Sequence, residues 1–358
     1  MAETILKFVY DATIKQIDFN TIIILTCLMG VVEGFKKLGY IDKVAHKLVS
    51  AASSFRALML TAVFATYVMS MIVTNDVGLI VMVPFTIQVL HSIGREDKLI
   101  KLIVLETLAA NLGGMSTPIG NPHNVYTYHL YNMELGKFVM TLLPYMVVSL
   151  IVLVVIICID KNRNDKVVVS VAEEEIEKVS KGKKVGLTVG YSILFALCIC
   201  VVLRVISCYI PFVLEVIFVL ICDRKVIKKV NYGLLIKFVI LFIIVGNLAR
   251  LPWINNNLST LVDGNEFILS VGLSQILSNL PVAVMLSTFT TKGYDIMMGA
   301  NIGGLGTIIA SMASVISLEY YGKCENANIK KYIGVFTLYN VILLALMLIV
   351  RIIVAGTL

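Results

Sequence analysis

The sequence has 358 residues, of which 58% are hydrophobic and only 15% are charged, and its mean hydropathy is +0.92. A soluble protein of this length has no interior large enough to hide so much apolar surface, so the composition excludes a soluble globular protein and predicts an all-α polytopic membrane protein. The formal net charge of +7 comes from Lys and Arg in short loops between apolar segments. This pattern indicates orientation in a lipid bilayer, and no nucleic acid is predicted as a partner.

The predicted elements form two halves, 1–159 and 185–358, joined by a polar linker at 160–184. Each half contains an apolar stretch with a polar interruption, predicted as a helical hairpin, and then a stretch interrupted by Gly, predicted as a broken helix. In chain order the first half has a span at 20–35, the hairpin at 57–91, the broken helix at 102–133 and a span at 138–159. The second half has spans at 185–203, 207–222 and 232–249, a polar loop at 253–266, the hairpin at 267–291, the broken helix at 294–318 and a span at 333–355.

The two halves repeat one another at these interruptions. The segment 70–75 matches 274–279 at an offset of 204 (274 − 70), and the segment 111–119 matches 301–309 at an offset of 190 (301 − 111). Two polar hairpins and two broken helices, paired in the same order, are typical of an internally repeated secondary transporter.

The charges of the loops predict how the halves are oriented. If both hairpins enter and leave on one side, the Lys/Arg-rich loops all fall on the cytoplasmic side. These loops are 36–56, 92–101, 160–184, 223–231 and 319–332. The first hairpin then opens from the cytoplasm and the second from outside. The prediction is therefore an inverted repeat, each copy with a re-entrant helical hairpin and a broken transmembrane helix, in the cytoplasmic (inner) membrane.

Polar groups at the tips and breaks predict a substrate site. Such groups are costly at membrane depth, and hydroxyls and amides beside the positive ends of helices favour a negative group. The predicted substrate-binding residues are Thr74, Asn75, Thr117, Pro118, Asn121, Ser278, Asn279 and Thr307. The alternative interpretation is that they are packing and capping residues at ordinary helix ends.

The same segments predict a sodium site, because carbonyls freed at a helix break are hard oxygen ligands and glycine permits close approach. The predicted Na⁺ ligands, through side chains and backbone carbonyls, are Asn75, Asp76, Gly113, Gly114, Asn279, Gly303 and Gly304. Asp76 is a lone carboxylate that serves as a cation ligand or a proton carrier, or else as a first-turn acid at a helix start. The coupling ion is thus Na⁺ or H⁺, and no other cofactor is predicted.

Three further carboxylates lie within the apolar segments, and they are not predicted as part of the substrate site. Glu33 is predicted at the membrane interface, and Glu106 and Glu215 are predicted to pair between helices, with a role as relay groups as the alternative. The sequence contains no HExxH, GxSxG or Walker pattern, so neither an intramembrane enzyme nor an ATP-driven pump is predicted.

The sequence resembles the ion transporter superfamily in four motifs, SMIVTNDVGLIVMVPFT, GGMSTPIGNPHN, SQILSNLP and ANIGGLGTIIASMASVIS. That group includes divalent-anion/sodium symporters, citrate-transporter-like permeases, arsenite efflux permeases and a family of sodium/proton antiporters. The resemblance implies that the hairpin tips bind substrate carboxylates and sodium. It also implies a homodimer in which hairpins and broken helices move against a scaffold, as in an elevator.

The sequence departs from the family pattern at two points. The third Thr of each tip motif is replaced, by Asp76 in the first half and by Leu280 in the second, which weakens the case for a di- or tricarboxylate. One good span precedes the first hairpin whereas three precede the second, so we expect a short or incomplete first half.

The leading hypothesis is a secondary active transporter that moves a small anion, either a carboxylate or an inorganic oxyanion, coupled to Na⁺ or H⁺. The first alternative is a Na⁺/H⁺ antiporter that uses Asp76, or an arsenite-type efflux permease. The second alternative is a degenerate membrane scaffold that does not transport.

Overall fold

The computed structural model describes residues 10–40, 52–160 and 180–356, together with positions 43 and 47. These residues form α-helices and short 3-10 segments without a β-strand, which confirms the predicted all-α polytopic class. The central part of the predicted linker, 161–179, lies outside the described residues. In chain order the helices are α1 (Phe19–Lys37), α2 (Phe55–Ile72), α3 (Asn75–Ser92), α4 (Leu99–Gly114), α5 (Pro122–Leu130), α6 (Leu135–Cys158), α7 (Lys181–Val202), α8 (Tyr209–Cys222), α9 (Arg224–Ile227), α10 (Tyr232–Leu248), α11 (Pro252–Val262), α12 (Glu266–Leu277), α13 (Asn279–Ser287), α14 (Gly293–Gly303), α15 (Met312–Gly322) and α16 (Ile329–Gly356).

Five of the described helices are long and apolar enough to cross a membrane, namely α1, α2, α6, α7 and α16. The pair α10 and α11 passes the same test as one span, although the chain bends by 98° between them. Much of the surface of these helices is apolar and exposed, including Phe64 on α2 and Ile151 on α6. Such faces suit lipid tails, so the protein is an integral membrane protein.

The structure differs from the sequence prediction at 253–266. Composition predicts a polar loop there, but Pro252–Val262 forms the helix α11. Pro252 stands at the first position of this helix, where its missing N–H costs nothing, and Asn257 donates to the carbonyl of Trp253 at 2.6 Å. The polar side chains of this segment therefore bond along the helix instead of opposing it.

Each predicted hairpin is a pair of helices joined at a sharp tip, α2 with α3 and α12 with α13. The two hairpins differ in length. α2 and α3 have 18 residues each, which corresponds to about 27 Å, whereas α12 and α13 have 12 and 9 residues, about 18 and 14 Å. The helices of the second hairpin are thus shorter than the bilayer core of about 30 Å.

Glycines let each hairpin lie against the broken helix that follows it. A Cβ on Gly113 of α4 would lie 2.2 Å from the carbonyl oxygen of Tyr67 on α2, and a Cβ on Gly303 of α14 would lie 3.0 Å from the Cα of Val271 on α12. These two contacts join equivalent residues, since 271 is 67 plus 204 and 303 is 113 plus 190. The halves therefore share the packing of hairpin on broken helix as well as the sequence pattern.

Ion pairs hold the end of the second hairpin that lies away from its tip. Lys292, in the turn between α13 and α14, is 3.0 Å from Asp263 and 3.2 Å from Glu266. Hydrogen bonds to these two carboxylates raise the pKa of Lys292 above its ordinary value. Nearby, Arg351 of α16 pairs with Asp295 of α14 at 2.7 Å. Charge thus collects at this end of the second hairpin, whereas its tip at Ser278 and Asn279 carries neutral polar groups.

Candidate functional site

Both hairpin tips have an unusual backbone at the same repeat position. Thr74 has φ 153° and ψ 155°, and Ser278, its equivalent at the offset of 204, has φ 73° and ψ 150°. Residues other than glycine adopt such values at a cost of about 1–3 kcal/mol, and such strain is concentrated at functional sites. The Thr74 hydroxyl accepts from the backbone N–H of Val77 at 3.4 Å, and the Ser278 hydroxyl donates to the carbonyl of Ala310 at 3.4 Å.

The next residue at each tip is a buried asparagine that begins a helix. The Asn75 side-chain oxygen accepts from the N–H of Asp76 at 3.0 Å, and the Asn279 oxygen accepts from the N–H of Leu280 at 2.9 Å. Only 4% of Asn75 and 7% of Asn279 is exposed. The Asn75 amide also donates to Asn111 at 3.3 Å. The same side-chain geometry therefore recurs at both tips.

Each tip is tied to the unwound link of its own half. The hydroxyl of Thr117 donates to the carbonyl of Met71 at 2.6 Å, and the hydroxyl of Thr307 donates to the carbonyl of Gln275 at 2.8 Å. These bonds too join equivalent residues, at offsets of 190 and 204. Two of the predicted substrate-binding hydroxyls thus use their protons to fasten link to hairpin, and only their oxygen lone pairs remain for a ligand.

Most of the carbonyls predicted to bind sodium accept hydrogen bonds inside the protein. The carbonyl of Gly113 accepts from the N–H of Ser116 at 2.9 Å, and that of Gly114 accepts from the amide of Asn124 at 3.3 Å. In the second half the carbonyl of Gly303 accepts from the Gln275 amide at 2.9 Å. Gly304, another predicted Na⁺ ligand, lies beside the Asn279 amide. Pro118, a predicted substrate-binding residue, is buried in the link between α4 and α5. Each carbonyl keeps its second lone pair.

Two asparagines of the broken helices connect the halves, and the sequence prediction did not include them as site residues. Asn111 accepts from the hydroxyl of Ser311 at 2.9 Å, and Asn301 accepts from the amide of Asn121 at 3.0 Å. The two bonds are equivalent, because both 301 − 111 and 311 − 121 equal 190. Each copy thus reaches the same position of the other, as expected for a two-fold relation between copies. The repeat match contained both asparagines, and this was the available signal.

Asn301 is the most connected of these side chains. Besides Asn121, its oxygen lies 3.0 Å from the Nε2 of His123, and its amide donates to the Asn124 oxygen at 2.7 Å and to the carbonyl of Met297 at 2.9 Å. Asn301 is 5% exposed, and its side-chain partners are at most 2% exposed. His123 therefore belongs to this buried network.

The network brings four helix N-termini together, those of α3, α5, α13 and α15. The N–H of Asn75 donates to the carbonyl of Gly120 at 2.8 Å, which joins the start of α3 to the start of α5. The bond from Ser278 to Ala310 joins the start of α13 to that of α15. Asn111 bonds both Asn75 and the residue before α15, so it connects the two pairs. Helix N-termini carry partial positive charge and unpaired N–H groups, which attract anions.

Comparison with known proteins agrees with this architecture. A family model described as citrate transporter matches residues 5–292, which include both hairpins and the first broken helix. The chain belongs to the citrate transporter family. It is therefore a membrane transporter, and the resemblance seen in the sequence motifs is confirmed.

Relatives of this citrate transporter family member include two proteins matched over most of their length. An uncharacterized transporter of Methanocaldococcus jannaschii, MJ0456, is 29% identical over 339 residues, which cover 93% of this chain and 88% of the relative. The inner membrane protein YbiR of Escherichia coli K12 is 28% identical over 307 residues, 85% of this chain and 80% of the relative. An uncharacterized transporter of Mycobacterium tuberculosis, Rv2685, is 25% identical over 139 residues, 38% of this chain and 32% of the relative.

In this family member Asp76 lies in the first turn of α3, half-buried. Within the described part of the chain its carboxylate makes no hydrogen bond or ion pair, whereas the neighbouring tip side chains Thr74 and Asn75 are all bonded. A carboxylate in the first turn interacts favourably with the helix dipole. Asp76 thus presents a carboxylate beside the first tip, at the positive end of α3.

Two other buried carboxylates lie away from this network. Glu106 on α4 is completely buried and accepts from the Thr86 hydroxyl of α3 at 2.5 Å. Glu215 on α8 is buried against Gly30 of α1. Both carboxylates lie between helices, and neither is among the groups that join the four N-termini.

Proposed function

We propose that the protein is a secondary active transporter of a small anion, coupled to Na⁺ or H⁺. The observation that carries the proposal is the meeting of four helix N-termini around the buried asparagines Asn75, Asn111 and Asn301. Amide donors and helix dipoles at the same place stabilise negative charge without a basic side chain. The citrate transporter family favours a carboxylate, and an inorganic oxyanion has the same acceptor chemistry.

The same contacts support movement of the hairpins and broken helices as one unit. Each hairpin is fastened to its own link through Thr117 or Thr307, and the broken helices are fastened across the halves through Asn111 and Asn301. Breaking these bonds together is expensive, since the two between the halves are buried, so we infer elevator-type alternating access of this unit against the remaining helices, in a homodimer. The repeats would be inverted, with loops 36–56, 160–184, 223–231 and 319–332 in the cytoplasm.

Thermal unfolding of the purified protein tests the proposal. We expect citrate, succinate, sulfate or phosphate to raise the unfolding temperature in Na⁺ or at low pH, but not in choline at neutral pH, because the coupling ion completes the site. A ligand at 100 times its dissociation constant adds about 2.7 kcal/mol of stability. Wild-type protein that is folded but unaffected by every combination of anion and cation would contradict the proposal.

The unpartnered carboxylate of Asp76 favours a second candidate function, a Na⁺/H⁺ antiporter or an arsenite-type efflux permease. In either case Asp76 would carry the cation or the proton. The experiment that separates the candidates is the substitution of this residue by its neutral isostere.

Under the leading proposal, we expect Asp76→Asn to weaken Na⁺ binding at least tenfold, which corresponds to about 1.4 kcal/mol of binding free energy. An anion should still stabilise the variant at high Na⁺ concentration. The reason is that the substitution removes one anionic ligand and leaves the donors of the tips in place. The measurement is Na⁺ titration by thermal unfolding, with Glu319→Gln as control because that side chain is 65% exposed. The antiporter would instead be established if Asp76→Asn abolished Na⁺-driven proton movement in vesicles and the wild type showed no response to any anion.

A further inference from the structure

The equivalence between the two copies does not extend to one buried contact of Asn301. At one of the two places where the halves meet, the Asn301 amide donates to the side-chain oxygen of Asn124 in the first half at 2.7 Å. At the other place, the residue equivalent to Asn301 is Asn111, and the residue equivalent to Asn124 at the offset of 190 is Ser314 in the second half. Serine is too short to supply the oxygen that Asn124 supplies. The contact from Asn301 to the first half is therefore complete, whereas the equivalent contact from Asn111 to the second half is incomplete.

The local geometry of α5 and α15 supports this equivalence. Asn121 precedes α5, and its side-chain oxygen accepts from the backbone N–H of Asn124. Ser311 precedes α15, and its backbone carbonyl accepts from the N–H of Ser314 at 3.1 Å. Residues three apart lie on the same face of a helix. Ser314 thus occupies on α15 the place that Asn124 occupies on α5, one turn beyond the hydroxyl that bonds Asn111.

Both polar atoms at the incomplete contact are buried and lack a partner. The Nδ2 of Asn111 and the Oγ of Ser314 have no hydrogen-bond partner among the described residues. Asn111 is 7% exposed and Ser314 is 0% exposed. A buried donor without an acceptor costs about 1–3 kcal/mol, so such a pair calls for an occupant that supplies an acceptor atom.

We propose that an oxygen of the transported anion binds between Asn111 Nδ2 and Ser314 Oγ, where it replaces the Asn124 oxygen of the other half. The inference rests on the proposed anion transport and adds a subsite to it. The Nδ2 of Asn111 is a hydrogen-bond donor, and the Ser314 hydroxyl can also donate to an anion. Ser314 lies in the first turn of α15, at the positive end of the helix dipole. Asn75 at the first hairpin tip bonds the same Asn111, so occupancy is communicated directly to that tip.

Ser314→Asn tests the subsite, because it restores the missing carboxamide. Without anions, we expect this variant to unfold about 2–4 °C above the wild type, since the new oxygen accepts from Asn111. In the presence of citrate, succinate, sulfate or phosphate, we expect it to lose the anion-dependent rise that the wild type shows. Ser259→Asn, on α11 outside the network, is the control and should respond to anions as the wild type does.

Ser314→Ala guards against a folding defect in the first variant. It removes one donor without adding volume, and the lost hydroxyl had no partner within the described residues. We expect unchanged stability without anions and about tenfold weaker binding of the anion that stabilises the wild type.

The possible results separate the subsite from the transport function. Anion stabilisation that persists undiminished in both Ser314 variants would overturn the subsite and leave anion transport standing. A higher unfolding temperature of Ser314→Asn with normal anion binding would mean that the gap is structural, which also overturns the subsite. A wild type that responds to none of the four anions would remove both proposals.

Discussion

Asn301→Leu should lower the free energy of unfolding by about 3–6 kcal/mol and abolish stabilisation by anions. Leucine has nearly the shape of asparagine but cannot bond Asn121, His123 or Asn124, which are all buried. Each buried polar group left without its partner costs roughly 1–3 kcal/mol. The substitution also releases the start of α5 from α14, so one of the four helix N-termini loses its position.

Equilibrium unfolding in detergent micelles measures this effect. The matched control is Asn257→Leu, on the exposed face of α11, where a single bond to the carbonyl of Trp253 is lost. We expect the control to change stability by less than about 1 kcal/mol. If Asn301→Leu were as mild as the control, the network between the halves would not hold the broken helices in place.

Gly113→Val should separate the first hairpin from its broken helix, at a cost of about 3 kcal/mol, the upper end for overpacking. A Cβ at this position meets the backbone of Tyr67 at 2.2 Å, and a backbone carbonyl cannot rotate away as a side-chain end does. α4 must therefore shift relative to α2, which moves Asn111 away from Asn75. Anion-dependent stabilisation should be lost together with the fall in unfolding temperature.

Gly272→Val provides the comparison for this prediction. Gly272 is also inside a helix, α12, but a Cβ there would meet nothing within 4 Å. We expect that variant to keep wild-type stability or gain a few tenths of a kcal/mol, since glycine is a poor helix former. Equal losses in the two variants would show that the close approach of α2 and α4 contributes nothing.

The sequence predicts the helical class and the two pairs of interrupted elements because polar residues and glycines stand out within apolar runs. The tips at Thr74 and Ser278 and the breaks after Gly114 and Gly303 follow from that contrast. Composition predicts the wrong local structure in α11. Asn residues favour a loop by propensity, but the Asn257 side chain donates to the carbonyl of Trp253 one turn earlier in the same helix.

How the two copies face one another could not be predicted. A repeat match pairs Asn111 with Asn301, but it does not say that each reaches the N-terminal cap position of the other copy. Nor does the sequence say where a hydroxyl donates, and the structure shows that the hydroxyl protons of Thr117 and Thr307 are used within the protein. Partners of short polar side chains are decided by tertiary geometry at the scale of one or two ångströms.

The unequal hairpins also bear on where the chain tolerates insertion. The tip asparagine and the asparagine of the broken helix are 36 positions apart in the first half (111 − 75) and 22 positions apart in the second (301 − 279). The additional 14 residues lie mostly in α3 and otherwise in the turn after it and at the start of α4, yet each tip asparagine accepts from the next backbone N–H. Length at this end of the hairpin is thus independent of the geometry at the other. The turn around Gly94, with φ 65°, is accordingly the natural place to add an epitope or a fluorescent label without disturbing the network.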